Sequence, residues 1–446
     1  MDKYRKHHKG EETMAVDLKE VSGIACMKSI EQLDSMGIRF AGTREEQKSA
    51  NWIEKQFKKL GLKNVQQQEF PCLTFDYSHC LLKVFEDGRW YPVEVEPAAH
   101  TPSTPKGGIE APLEVVEKVP SRRSDCRTLM KGKIVLLTTS ELFEPAAFKR
   151  VMGSGLKGIL VVDDRFPNDW TVAVGFPRYW VDRITCPVLN VSYMDAWEIV
   201  RHQIEKVHID VAATVSEAVS QNVVAEIRGR GRSDEVIVIS GHHDSVINNP
   251  GADDNLTGVA AALELARVFS RQGPKRTLRF ISYGAEEQLS EGAKYYALNA
   301  KDRNKIKLVL NVDAIGAWMG QTKIFLSGPP ALEKIVAKVS EEQKYPGHIL
   351  KEICPFSDHF PLNYYGVPIV WYYRMTYSAA RHFHHSALEN PDVISPEVLE
   401  RTIRHQAAIL DLVANSEKLP YPREVPASQL KALKKMGKEW AGLGVG

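Results

Sequence analysis

The spacing of apolar positions along this chain changes several times, and each change marks an element. In SANWIEKQFKKLG (49–61), Trp52, Ile53, Phe57 and Leu60 fall on one side of a 3.6-residue period that Gly61 ends. That predicts a helix, and residues 27–61 read as helical. From 64 to 95 the period shortens to the alternation of VQQQEF and CLLKVFE, which predicts strands. AAHTPSTPKGG (98–108) breaks both patterns with Pro, Thr and Gly, so a boundary is expected there. Between about 110 and 215 come short strands with one or two helices: KIVLLTTS, FEPAAFKRVMGSG, KGILVVDD and CPVLNVS.

From about 220 to 415 strand and helix patterns alternate. EVIVIS is a continuous β-rich run, as a strand buried on both faces requires. LTGVAAALELARVF, GAKYYALNA, ALEKIVAKVSEEQ and PEVLERTIRHQAAILDLVA read as helices, and TLRFISYG, KLVLNVDAIG and PIVWYYR as strands. This order predicts an α/β fold: a doubly wound, mostly parallel sheet with helices on both faces, carrying an inserted smaller β-rich α/β domain. The tail from Leu419 holds three prolines and a basic amphipathic segment, QLKALKKMGKEW, with no evident chemistry.

Length and charge narrow the partners. The 446 residues exceed one ordinary core. A net charge of +2, from 58 basic and 56 acidic residues, leaves no electrostatic footprint for nucleic acid. No apolar run approaches the ~18–20 residues that span a bilayer, so no membrane partner is expected. The first fourteen residues lack the apolar core of a secretory signal. The six cysteines are scattered without a CxxC pair, which suits reduced thiols and a cytoplasmic location. Gly153-Ser154-Gly155-Leu156-Lys157-Gly158 matches GxGxxG, but it follows a helix and precedes a strand, so it reads as a turn. HExxH, GxSxG and a phosphate loop with lysine are absent from the sequence.

The chemistry lies at strand ends, where ligands bind in open α/β sheets. EVIVIS is followed by GHHDSVINNPGADDNLTG (241–258), with His242 and Asp244 spaced H-x-D and then Asp253 and Asp254 at a helix start. TLRFISYG is followed by Glu286 and Glu287, KLVLNV ends on Asp313, and beyond PIVWYYR lies RHFHHSALEN with His382, His384 and His385. Singly, each group has a plain explanation as a cap, a helix-dipole partner or a solvated loop residue. Together, at equivalent ends of neighbouring strands, they point to a metal site. Imidazole and carboxylate without thiolate suit zinc, with cobalt or manganese as substitutes. Five such side chains suffice for two ions sharing a bridging aspartate, an arrangement that activates water and polarises a carbonyl. A sixth carboxylate can then move the proton.

In these motifs (GHHDS, PGADDNLTG, YGAEEQ, NVDAIG, SDHFP and HHSALEN, in that order) the chain resembles the co-catalytic di-zinc exopeptidases. That family includes aminopeptidases of the S and Y type, with glutamate carboxypeptidase and the inert transferrin receptor as more distant relatives. The resemblance covers residues about 20–100 and 220–415. It implies a zinc-exopeptidase (phosphorylase/hydrolase-like) fold holding two Zn²⁺. His242 and Asp313 would bind one ion and Glu287 and His385 the other, with Asp254 bridging them. Glu286 would be the general acid/base, and Asp244 would orient His242. The Asp254–Asn255 peptide is a candidate for a cis bond. Asp358, in the S-D-H motif, takes no assigned role. The middle block is similar to a protease-associated domain. The implied organisation is 15–103 and 217–418 as the two parts of the catalytic domain, 104–216 as the insertion and 419–446 as the tail.

Two departures stand out. His384 occupies the position where many members of the family have an oxyanion-supporting tyrosine. Gln288-Leu289-Ser290 replaces a glycine-leucine step after the glutamate pair. The expected activity is aminopeptidase cleavage of peptides. A carboxypeptidase or dipeptidase would need a basic group such as Arg374 or Arg381 for the substrate carboxylate. Glutaminyl cyclisation on a related fold uses one zinc, and a receptor-like binding protein would have lost the ligands.

Overall fold

The computed structural model describes residues 16–375 and 382–444. The N-terminal arm and Arg381 lie outside the described residues.

In chain order the described residues form strands β1 (Lys63–Glu86), β2 (Arg89–Val93), β3 (Val95–Pro97), β4 (Ile109–Val116) and β5 (Ile134–Leu137). Next come β6 (Gly158–Val162), β7 (Val188–Val191), β8 (Lys206–Ile227), β9 (Arg232–His242) and β10 (Arg276–Tyr283). The last are β11 (Ile306–Asp313), β12 (Gln321–Ser327), β13 (His348–Leu350) and β14 (Ile369–Met375). They hydrogen-bond in the order β13-β12-β14-β11-β9-β10-β8-β4-β5-β6-β7-β3, with β1 on β8 and β2 on β1. The four strands β14, β11, β9 and β10 run parallel, flanked by antiparallel β12 and β8. The expected α/β architecture with a mostly parallel central sheet is therefore the one observed.

Period-two alternation sends β9 side chains to two cores. Ile237 and Ile239 pack under helices Gly23–Asp34, Arg44–Lys59, Thr257–Ser270 and Pro396–Asn415, through Ile30, Phe57, Leu265 and Ile403. Val236 and Val238 pack on the other face with Ala293 and Tyr296 of helix Glu291–Asn299 and Leu362 of helix His359–Tyr364. Both faces are covered, which is why these strands are continuously apolar rather than alternating.

The second lobe contains the parallel run β4-β5-β6-β7. The long strands β1 and β8 pair along most of their length and carry both lobes. β8 bonds to β4 near Ile209 and to β10 near Val224, and it runs unbroken through residues 216 and 217. The glycine-rich GSGLKG follows helix Pro145–Met152 and leads into β6, with Gly155 at φ +81°. It is a helix-to-strand turn, the reverse of what a dinucleotide loop requires.

The sequence-based reading places no element at β12, at β13, or at the helices Arg123–Met130, Tyr193–Arg201 and His359–Tyr364. β13, with three residues, and the six-residue helix His359–Tyr364 are too short for either period to register. The tail forms helix Ala427–Trp440, and it is packed: Leu433 is fully buried and Trp440 is 8% exposed. All six cysteines are free thiols, four of them buried. Among the described residues, no helix is long and apolar enough to cross a membrane.

Candidate metal centre

Parallel register brings the strand ends level. Tyr283 lies opposite His242, and Asp313 opposite Tyr373. His242 closes β9 and Asp313 closes β11, while Glu286 and Glu287 form a short 3-10 turn just beyond β10. Asp254 is presented by the irregular segment Ala252–Leu256, whose Asp254–Asn255 peptide is cis. His384 and His385 lie on the loop after β14, and His385 has a positive φ of 56°.

The seven sequence-derived site residues meet in one place. His242 Nε2 is 3.1 Å from Asp254 Oδ1, 3.7 Å from Asp313 Oδ1 and 3.8 Å from Glu286 Oε2. On the other side, His385 Nε2 is 3.4 Å from Asp254 Oδ2 and 3.2 Å from Glu287 Oε2. The two oxygens of Asp254 therefore face different histidines. Asp253 turns elsewhere and accepts the Gly316 N–H at 2.8 Å. His384 Nδ1 also approaches Asp254 Oδ2, at 3.3 Å.

A divalent cation fits these residues on three observations. First, His242 Nε2, Asp313 Oδ1 and Glu287 Oε1 are buried and make no hydrogen bond, although carboxylate oxygens lie close to the imidazole nitrogen. Such atoms aim at a common point rather than at each other. Second, the buried carboxylates Asp244, Asp254, Glu286, Asp313 and Asp358, with the partly buried Glu287, outnumber the cations among them. Buried charge of one sign is costly without a counter-ion. Third, ligand atoms of His242, Asp254 and Asp313 lie within 4.8 Å of one another, as do those of Asp254, His384 and His385, and those of His242, Glu286 and Glu287.

The electrostatics agree. Burial pushes the Glu286 carboxyl well above the usual carboxylate range; His242 opposes this, and Asp358, Glu287 and Asp313 reinforce it. Burial works against charge on His385, but Glu287 and Asp254 outweigh it and hold its imidazole up at about 10.

Several residues hold these side chains in place. Asp244 accepts the N–H of Glu286 at 3.0 Å and of Glu287 at 3.1 Å, and its Oδ1 lies 3.5 Å from His242 Nδ1. One carboxylate thus aligns three groups, a wider task than orienting His242 alone. Glu389 accepts the N–H of Asp254 at 2.6 Å and of His385 at 3.2 Å, tying the loops that bear these two residues. Ser240, Asn311 and Ser357 form a buried relay that ends on Asp313 Oδ2, each link 2.7 Å. Arg39, fully buried, donates to the carbonyls of His243, Pro250 and Gly251 and pins the loop before Asp254. Glu389 had a signal in sequence, an acid four residues beyond His385. Arg39 had none, because the carbonyls through which it pins that loop lie more than 200 positions away.

The centre opens into a cleft of about 450 Å³. Asp254, Glu286, Glu287, Asp313, His384 and His385 line one end, and Phe325, Phe356, Trp371, Met375 and Trp440 make an apolar wall. Arg165, Gly175 and Phe176 of the second lobe border it as well. Arg374 is not available to a substrate carboxylate: it is 6% exposed, and its guanidinium donates to the carbonyls of Ala317 and Trp318. Arg381 lies outside the described residues.

The fold and this centre define a class: α/β proteins with a carboxylate–histidine cluster at the ends of central parallel strands. Solved structures with this fold superpose on most of the chain. An aminopeptidase from Aneurinibacillus sp. strain AM-1 aligns over 92% of this chain and 98% of its own, at 23% identity and a TM-score of 0.71. The precursor of a peptidase M28 from Shewanella amazonensis SB2B aligns over 93% and 98%, at 21% identity and a TM-score of 0.78. In sequence, residues 222–410 match the family described as Peptidase family M28. Aminopeptidase YwaD of Bacillus subtilis (strain 168) is 25% identical over 304 residues, 67% of this chain and 63% of that protein. A probable leucine aminopeptidase 2 of Aspergillus oryzae is 25% identical over 317 residues, 68% of this chain and 62% of that protein. The chain thus spans less than two thirds of the length of these relatives.

Proposed function

We propose that this chain is a metal-dependent aminopeptidase that removes N-terminal residues from peptides and works with two zinc ions. The observation that carries the reading is the convergence of unsatisfied buried donor atoms from His242, Asp313 and Glu287 around Asp254, with the Glu286 carboxyl beside them. Three of these relatives are named aminopeptidases, which supports the same reaction. His242 and Asp313 would hold one ion and His385 and Glu287 the other, with Asp254 shared. When bound, such a pair supplies Lewis-acid polarisation of a peptide carbonyl and acidifies water.

The remaining work falls to the chain. Glu286, raised in pKa by burial and neighbouring acids, is suited to take a proton from the attacking water and pass it to the leaving amine. Ser290 donates to Glu286 Oε1 at 3.1 Å and fixes its rotamer. The free amine of the substrate would lie near Glu286 and Asp313, and its first side chain against the apolar wall of Phe356, Trp371 and Trp440. We read residues 104–216 as a protease-associated domain that borders the cleft through Arg165 and Phe176 and restricts entry to extended chains.

Glu286→Gln tests the assignment. It should bind zinc like the parent and lose roughly 10²–10⁴-fold in turnover, the usual worth of a general base. Parent-like hydrolysis of N-terminally free peptides by this variant would remove Glu286 from the mechanism. Peptide trimming that survives N-acetylation and stops on C-amidation would instead make the enzyme a carboxypeptidase.

A further inference from the structure

We propose that His384 is itself a metal ligand, so that the ion on the Oδ2 side of Asp254 is held by two imidazoles. This inference rests on the two-ion reading above. His384 Nδ1 lies 3.3 Å from Asp254 Oδ2, and His385 Nε2 lies 3.4 Å from the same oxygen. The two rings are neighbours, with centroids 3.6 Å apart and planes at 36°. The ligand atoms of Asp254, His384 and His385 fall within 4.8 Å of one another. Zinc–nitrogen bonds of about 2.0–2.1 Å put two ligand atoms on a tetrahedral ion about 3.3 Å apart, so small rotamer adjustments bring both nitrogens and Oδ2 onto one cation.

A histidine acting only on substrate would direct its nitrogen into open cleft. Here Nδ1 is directed at the carboxylate oxygen that His385 already faces. Glu287, 3.2 Å from His385 Nε2, completes a set of two nitrogens and two carboxylates. The Oδ1 side has a single imidazole, His242, with Asp313. The two halves of the centre therefore differ in nitrogen content, and the richer half should favour ions that prefer imidazole, such as Zn²⁺ and Co²⁺, over Mn²⁺.

The test is metal binding by the full chain, stripped with chelator and titrated with Zn²⁺ by calorimetry, with the absorption of the Co²⁺-loaded protein as a second readout. His384→Ala should weaken one of the two binding steps by about 100-fold or more, beyond the ~10–100-fold cost of removing a residue that merely orients a ligand. The other step should stay unchanged, and the cobalt spectrum should show the loss of a nitrogen donor. His382→Ala is the control. His382 belongs to the same loop but is held edge-on between Phe166 and Trp170, at 5.3 Å from each ring. It should leave both steps intact.

Parent-like zinc affinity in His384→Ala, whatever its turnover, overturns the assignment and returns His384 to the substrate side. Equal weakening in both variants also overturns it, because the loop rather than the ligand would then be responsible. A parent chain that binds no zinc refutes the two-ion reading itself and this inference with it, an outcome distinct from failure of the variant alone.

Discussion

Replacing Glu389 by Gln perturbs the frame of the centre without removing a side chain proposed to bind metal or substrate. Its carboxylate accepts the N–H of Asp254 at 2.6 Å, the N–H of His385 at 3.2 Å and the side-chain amide of Asn249 at 3.3 Å, and the residue is 2% exposed. Both oxygens accept hydrogen bonds, so a carboxamide of the same size cannot replace the carboxylate. One oxygen becomes an NH₂ group that faces an N–H. The change loses a charge-assisted hydrogen bond, about 1.5–3 kcal/mol, and strands a buried donor, about 1–3 kcal/mol. The metal-free variant should therefore be about 2.5–6 kcal/mol less stable in urea unfolding. The two loops that Glu389 ties carry Asp254 and His385, so zinc affinity by chelator competition should fall by roughly 10–100-fold, as for other partners that orient ligands. Stability within ~0.5 kcal/mol of the parent, the scatter of ordinary surface substitutions, together with unchanged zinc affinity, would refute the idea that this carboxylate aligns the centre.

Two further changes probe the frame. In Gly258→Ala the added methyl would press into the Val312 carbonyl and the Asn255 amide, whose Nδ2 and Oδ1 link Val312, Gly258 and Ala314. Overpacking against backbone should cost about 3 kcal/mol and shift Asp313, so a variant with parent-like melting and zinc content would contradict this packing. His100 is 3% exposed, and burial, aided by the Arg178 charge, lowers its imidazole from an ordinary 6.5 to about 4. The unfolded chain takes up that proton below 6.5 while the folded one does not. This contribution to stability is therefore complete above 6.5 and falls by about 3 kcal/mol as pH drops to about 4. His100→Asn should be less stable at neutral pH, and its stability should decline less steeply over that window. An unchanged slope in denaturant midpoints measured across the window would show that His100 does not titrate as argued.

Much of the centre was legible because its signals are local. A buried parallel strand must be continuously apolar, and the groups that follow it must be polar if they are to face a ligand. EVIVIS before His242 and KLVLNV before Asp313 satisfy both conditions within a dozen residues, whereas TLRFISYG before Glu286 is interrupted by Arg279, which pairs with Glu226 and Asp302. Asp254 and its neighbour Asp253 meet different partners, the His242 imidazole and the Gly316 N–H, a divergence that only the structure shows.

The sequence by itself determined the elements of the 220–415 half, the strand ends where the polar cluster lies and the residue types offered there, because period, propensity and ligand chemistry act over short stretches. Only the tertiary structure decided what depends on contacts between distant segments. It buried Arg39 against carbonyls of the 243–251 loop, joined Asp254 to His385 through Glu389, and committed Arg374 to the Ala317 and Trp318 carbonyls. It also stacked Trp440 on Trp180 and against Phe356, making the tail a wall of the cleft. A guanidinium or an indole has the same local signature on a surface as in a core, and only the backbone or ring it meets, far away in sequence, sets its role.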